Sequence, residues 1–284
     1  MLHTKTIVYS VLACLLIPVV DCRAKQDCSE TIYQYVKKSR NACGRPGKDK
    51  KDGYILGGQD VGESEFSFVA HVYVGRRPPN RRLCTGVLIS DKHVLTDAWC
   101  MDWSYVSLKR WTTIFVPSCA LPGRPTERTI HHPDPKYKDT YEIVELRSGE
   151  SNWACLPTKS SNITTTGPTS RCFQLGRGTN QFVKEGEETD DNVPDYVQKL
   201  RVEETPCDKD KFDDQYRCFK DPTGQGAICQ GDGGGPTVCF DENNKRWTAI
   251  GIAKYRAEDR CKPGGVFGSL RLDTEVAKSL LKQC

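Results

Sequence analysis

Apolar residues recur at every second position through Phe66, Phe68, Ala70, Val72 and Val74, the period of a strand with at least one face buried. Cys84 to Leu95 gives two more short strands around Ser90-Asp91. Further apolar runs predict strands at Ser170 to Leu175, Val197 to Val202, Pro236 to Phe240, Trp247 to Tyr255 and Gly265 to Leu270. Only the end of the chain changes period: Leu272, Val276 and Leu280 repeat every four residues behind Asp273, which can cap a helix. The pattern predicts an all-β protein closed by a C-terminal helix.

The beginning of the chain reads differently. Ile7 to Val20 is apolar except for Tyr9, Ser10 and Pro18, too short for a bilayer that takes about 20 residues to cross. We read residues 1–22 as a secretory signal peptide, cleaved near Cys22, and expect no membrane span. Asp27 to Arg40 is polar and mildly helical, and Lys48-Asp-Lys-Lys-Asp52 is a solvated charge run.

The 284 residues, 37% hydrophobic and 27% charged, are enough for a sizeable core. Fifteen cysteines place the chain in an oxidising compartment, and no Cys/His spacing of metal-site type accompanies them. Neither a metal nor another cofactor is expected, and no feature points to nucleic acid. The net charge of +4 says little by itself. Arg76, Arg77, Arg81 and Arg82, however, fall within seven residues between two strands. They form either a solvated turn or a patch for sulfated glycans and other polyanions. Asn162-Ile-Thr164 is an N-glycosylation acceptor in a polar loop.

The segment richest in chemistry is Cys229-Gln-Gly-Asp-Gly-Gly-Gly-Pro236. It resembles the Gly-Asp-Ser-Gly-Gly-Pro nucleophile loop of trypsin-like serine proteases at every position except Gly233, where the serine belongs. The Leu-Thr-Ala-Ala-His-Cys motif of that family looks like Leu95-Thr-Asp-Ala-Trp-Cys100, with Trp99 at the histidine. Its Asp-Ile-Ala-Leu-Leu motif looks like Glu142-Ile-Val-Glu-Leu146. The three positions lie 43 and 91 residues apart, against about 45 and about 93 in the chymotrypsin pattern. An indole has no basic nitrogen, and glycine has no hydroxyl to activate. The resemblance, to a divergent secreted branch such as that of nematodes, therefore implies two antiparallel Greek-key barrels and no catalysis. His93 precedes the Leu-Thr pair and is expected to cap or solvate a strand end, while His71, His131 and His132 match no triad motif.

The same resemblance divides the chain into a pro-region over residues 23–54 and a protease homology domain over 55–284. It implies the disulfides Cys84–Cys100, Cys172–Cys239, Cys207–Cys218, Cys229–Cys261 and Cys43–Cys155, leaving Cys28, Cys119 and Cys284. Tyr54-Ile-Leu-Gly-Gly58 is similar to the family's activation site, but Tyr54 gives a trypsin-type activator no basic side chain. Ala227 stands at the specificity position without a carboxylate, and Lys254-Tyr255-Arg256 replaces the Ser-Trp-Gly of the substrate-pairing strand. These features imply a binding role, as a modulator or decoy in protease cascades or host defence, through an extracellular protein partner. A glycosaminoglycan-binding or adhesive protein is the alternative. A hydrolase with relocated chemistry is the competing class.

Overall fold

A computed structural model describes Cys43 and residues 58–61, 65–74, 82–101, 112–115, 124–131, 140–146, 152–179, 197–254 and 261–282. Its strands form two bodies. In the first, β2 (Val69–Val74), β3 (Arg82–Leu88), β4 (His93–Asp97), β5 (Thr112–Phe115), β6 (Arg124–His131) and β7 (Tyr141–Leu146) close into a barrel of order β2-β3-β4-β7-β6-β5. In the second, β8 (Cys172–Gly176), β9 (Gln198–Arg201), β10 (Glu203–Thr205), β11 (Tyr216–Lys220), β12 (Pro236–Asp241), β13 (Arg246–Ala253) and β14 (Phe267–Arg271) lie in one antiparallel sheet. That sheet also takes the short β1 (Gln59–Asp60), paired with β9.

The second sheet curls on itself through one residue. Val202 separates β9 from β10, and its N–H donates to the Cys172 carbonyl at 3.0 Å. One bent strand thus meets β8 on one side and β11 on the other. The expected pair of barrels is present, and Val197–Val202, read as one strand, is the bend that closes the second.

The alternation from Phe66 to Val74 proved to be a strand only from Val69. Phe66 and Phe68 belong to the turn before β2, Phe66 at φ 52°, a backbone region that bulky side chains avoid. Packing holds it there. Its ring meets Phe68 at 5.8 Å and Trp247 of β13 at 5.0 Å, both edge to face, and Phe173 of β8 completes the cluster. The apolar period was correct about burial and wrong about the element, because a turn residue facing the second barrel is as buried as a strand residue.

The two barrels meet along several further contacts. The Tyr141 hydroxyl donates to the Arg271 carbonyl. Lys199 on β9 pairs with Glu65 at 3.0 Å, both about 6% exposed. Disulfides join Cys43–Cys155, Cys84–Cys100, Cys172–Cys239, Cys207–Cys218 and Cys229–Cys261, the pairs that family position implies. Beyond α1 (Ala98–Met101), the chain ends in α2 (Thr274–Leu281). Asp273 caps α2 by accepting from the N–H groups of Glu275 and Val276, both at 2.9 Å. Val276 and Leu280 are buried beneath it.

Candidate functional site

The positions singled out in the sequence gather at the seam between the barrels. Strand β4 ends in Asp97, and α1 begins at once, carrying Trp99 in its single turn. Asp97 caps that turn, its Oδ1 accepting from Trp99 N at 3.0 Å. Trp99 is 37% exposed, the one large apolar side chain so exposed among the described residues. Glu142 lies next door on β7, in register with Thr96, and is buried. From the second barrel the Cys229–Pro236 loop reaches across. Gly233 O accepts from Thr85 N at 2.8 Å, and the half-cystine Cys100 brings its Sγ within 3.6 Å of the same oxygen. The loop is fastened again where Thr85 Oγ1 donates to Gly231 O at 2.7 Å and Gly234 N to Ala253 O at 2.8 Å.

Asp232, one residue before Gly233, is turned inward. Its Oδ1 accepts from Gly178 N at 2.8 Å and its Oδ2 from Cys229 N at 2.7 Å. Burial outweighs those two bonds and pushes its pKa up to about 7. The cradle depends on glycine: a Cβ on Gly176 would stand 2.0 Å from Asp232 Oδ1, and one on Gly178 would stand 2.5 Å from Gln230 O.

Ala227, two residues before the Cys229–Pro236 loop, is buried. On either side, Gly226 O accepts from Gly264 N at 3.0 Å and Ile228 O from Cys261 N at 2.9 Å. The nearby carboxylate of Asp221 is occupied by its own loop, accepting from Thr223 Oγ1 and the N–H groups of Thr223, Gln225 and Gly226. Burial alone would raise its pKa, and those bonds outweigh burial and lower it.

The histidines divide. His93 opens β4, at the opposite end of that strand from Trp99, with Nδ1 2.7 Å from Ser90 Oγ. His71 contacts the Arg177 carbonyl through Nε2 at 3.2 Å and the Tyr73 hydroxyl through Nδ1 at 2.9 Å. The register of β6 sets His131 opposite Glu142, a neighbour that motif matching missed because β6 carries no family signature. Of the arginine group, read as lying between two strands, Arg82 instead is the first residue of β3, opposite Val74. Arg76, Arg77, Arg81, His132, Tyr54, Ile55, Tyr255, Arg256, Cys28, Cys119 and Cys284 lie outside the described residues, as do residues 1–42.

One contact was not anticipated. Lys254 Nζ reaches Asp97 Oδ1 at 2.8 Å, with the carboxylate fully buried and the lysine side chain 22% exposed. The signal was present in the motifs, as opposite charges at two places where the family has alanine and serine.

The chain matches the trypsin family over residues 55–272, and it belongs to that family. Among its relatives, Transmembrane protease serine 11G of Mus musculus is 28% identical over 191 residues, 61% of this chain and 43% of that protein. Granzyme C of Mus musculus is 25% identical over 228 residues, 74% of this chain and 84% of that protein. Transmembrane protease serine 5 of Homo sapiens is 25% identical over 217 residues, 71% and 46% respectively. The chain thus spans less than half the length of the first of these. Among the described residues no helix is long and apolar enough to cross a membrane.

Proposed function

We propose that the chain is a secreted serine protease homologue without peptidase activity, acting by binding as a modulator or decoy in protease cascades or host defence. A single observation carries this reading: an indole, Trp99, stands where the family places its general base, across the seam from a loop with Gly233 in place of the nucleophile. Acyl transfer needs a hydroxyl and a group to take its proton. Backbone donors beside Gly233 without a nucleophile give only residual rate. The retained disulfides, barrels and loop attachments support a fold kept for recognition. Residues 1–22 serve as signal peptide, 23–54 as pro-region and 55–284 as the binding domain.

The test is incubation of the purified protein, whole and cut before Ile55, with peptide-ester libraries and a fluorophosphonate probe. No turnover above buffer and no label are expected. Covalent labelling at any cleft residue overturns the proposal.

Four arginines within seven residues favour a second reading, glycosaminoglycan binding by Arg76, Arg77, Arg81 and Arg82 where the chain enters β3. Retention on heparin should fall sharply between low and physiological salt and disappear when all four become serine. Retention unchanged by that substitution counts against it.

A further inference from the structure

We propose that Asn162 carries an N-linked glycan, at the end of β12 away from the Gly233 loop. Asn162 and Thr164 are both exposed, whereas Ile163 between them packs against the Cys172–Leu200 cluster. The Asn162 backbone is fixed on both sides: its N–H donates to Asp241 Oδ1 at 3.1 Å, and its carbonyl accepts from Glu242 N at 3.0 Å. An outward side chain on a fixed backbone leaves a glycan at Asn162 room in solvent once the chain has folded. The step is an amide-to-glycan condensation: a new bond forms from Asn162 Nδ2 to the sugar anomeric carbon, with a lipid pyrophosphate leaving group and one proton released.

The anchor lies at the far end of β12. That strand begins at Pro236, beside the Gly233 loop, and ends at Asp241, five steps of about 3.4 Å each, or roughly 17 Å, away. The test is intact mass of the full chain secreted from a eukaryotic host, before and after amidase release of N-glycans. A mass loss that disappears in both Asn162→Gln and Thr164→Ala, with release converting Asn162 to Asp, is expected. Unshifted secreted protein, or a shift that both variants retain, overturns the proposal.

A separate observation concerns the seam. Asp97 and Lys254 both depart from the family motifs, and they bring opposite charges to one place at the seam, with the carboxylate fully buried. A fully buried carboxylate lacking a cation carries a large desolvation cost. The two residues belong to different barrels. Asp97 ends β4 and caps α1, while Lys254 follows β13, its N–H donating to Gly268 O at 2.8 Å. The geometry points to a clamp: the ion pair fastens the two barrels together beside Trp99. This rests on the reading of the cleft as non-catalytic, but its test uses stability, so the two can fail separately.

Thermal midpoints of the full chain, Lys254→Ser, Asp97→Ala and the double variant Asp97→Ala with Lys254→Ser would be compared. Lys254→Ser should lower the midpoint by roughly 10 °C, and the double variant, carrying the family residues, should recover most of that loss. The lysine loss should persist in high salt, since buried pairs are weakly screened. Additive losses in the double variant, or no loss in Lys254→Ser, overturn the clamp.

Discussion

Asp232 Oδ1 accepts a hydrogen bond from Gly178 N at 2.8 Å, and with Cys229 N on Oδ2 this holds a fully buried carboxylate whose pKa stands at about 7. The folded value lies above the unfolded one, near 3.9. The group's contribution to stability is therefore complete below about pH 4 and is lost as pH rises through 7. The intact chain should unfold more readily at pH 8 than at pH 5, by about 2–3 kcal/mol from this group. Asp232→Asn should be less stable overall yet show a flatter profile over that interval, measured by urea unfolding. By the family resemblance, cutting before Ile55 would free an ammonium able to pair with Asp232. A chain cut there should lose the same dependence, and an unchanged slope in both cases would remove Asp232 from the account.

Gly234 offers a sharper steric test. At φ 83°, a Cβ there would stand 2.1 Å from Thr96 Oγ1 and 2.3 Å from the Thr85 carbonyl, and the carbonyl is backbone that cannot swing aside. Gly234→Ala should cost about 3 kcal/mol or more, from the overlap and the left-handed backbone together. Gly224 has a similar φ of 71° and nothing within 4 Å of its Cβ. Gly224→Ala should cost only about 1 kcal/mol. Equal losses in denaturant titrations would mean that the loop relaxes around Gly234.

Phe66 inverts a familiar preference. Truncation to alanine removes a fully buried ring from the Trp247 cluster and should cost about 3–5 kcal/mol. At φ 52°, however, alanine keeps the backbone penalty that glycine relieves, about 1 kcal/mol. Phe66→Gly should therefore be no less stable than Phe66→Ala, against the order seen in strands and helices. If alanine is the better tolerated of the two, the turn is not held in the left-handed region.

The strands that carried a strict alternation or a motif could be read in the sequence, and so could the seam residues Trp99, Glu142 and Gly233. What escaped was set by contacts distant along the chain. Phe66 has the spacing of a strand residue but takes its conformation from Trp247, 181 positions away in sequence. Strand β11 was missed because Tyr216–Lys220 alternates weakly, with Arg217 turned to Glu204, Nε to Oε1 at 2.8 Å. That contact holds Glu204 below the usual carboxylate range. Asp97 and Lys254 were visible as letters, but their meeting required the register of β4 against the end of β13.

Restoring the triad, by Trp99→His with Glu142→Asp and Gly233→Ser, should not by itself yield a trypsin-like enzyme. A base and nucleophile act only when reacting atoms are held within ~3–3.5 Å of one another, and the remaining residues do not prepare that geometry. Tyr54 gives an activator no basic side chain, Ala227 leaves the specificity pocket without a carboxylate for Arg or Lys, and Arg256 replaces the glycine of the substrate-pairing strand. Lys254 adds a fourth obstacle, since its ammonium is bound to Asp97 beside residue 99. The triple variant should stay inactive on arginine esters until it is cut before Ile55 and Arg256 is reduced to glycine, with Ala227→Asp needed for basic specificity. Steady-state hydrolysis of an arginine ester by the uncut triple variant would show instead that the loss of three side chains was the whole defect, and that the cleft had remained a substrate site.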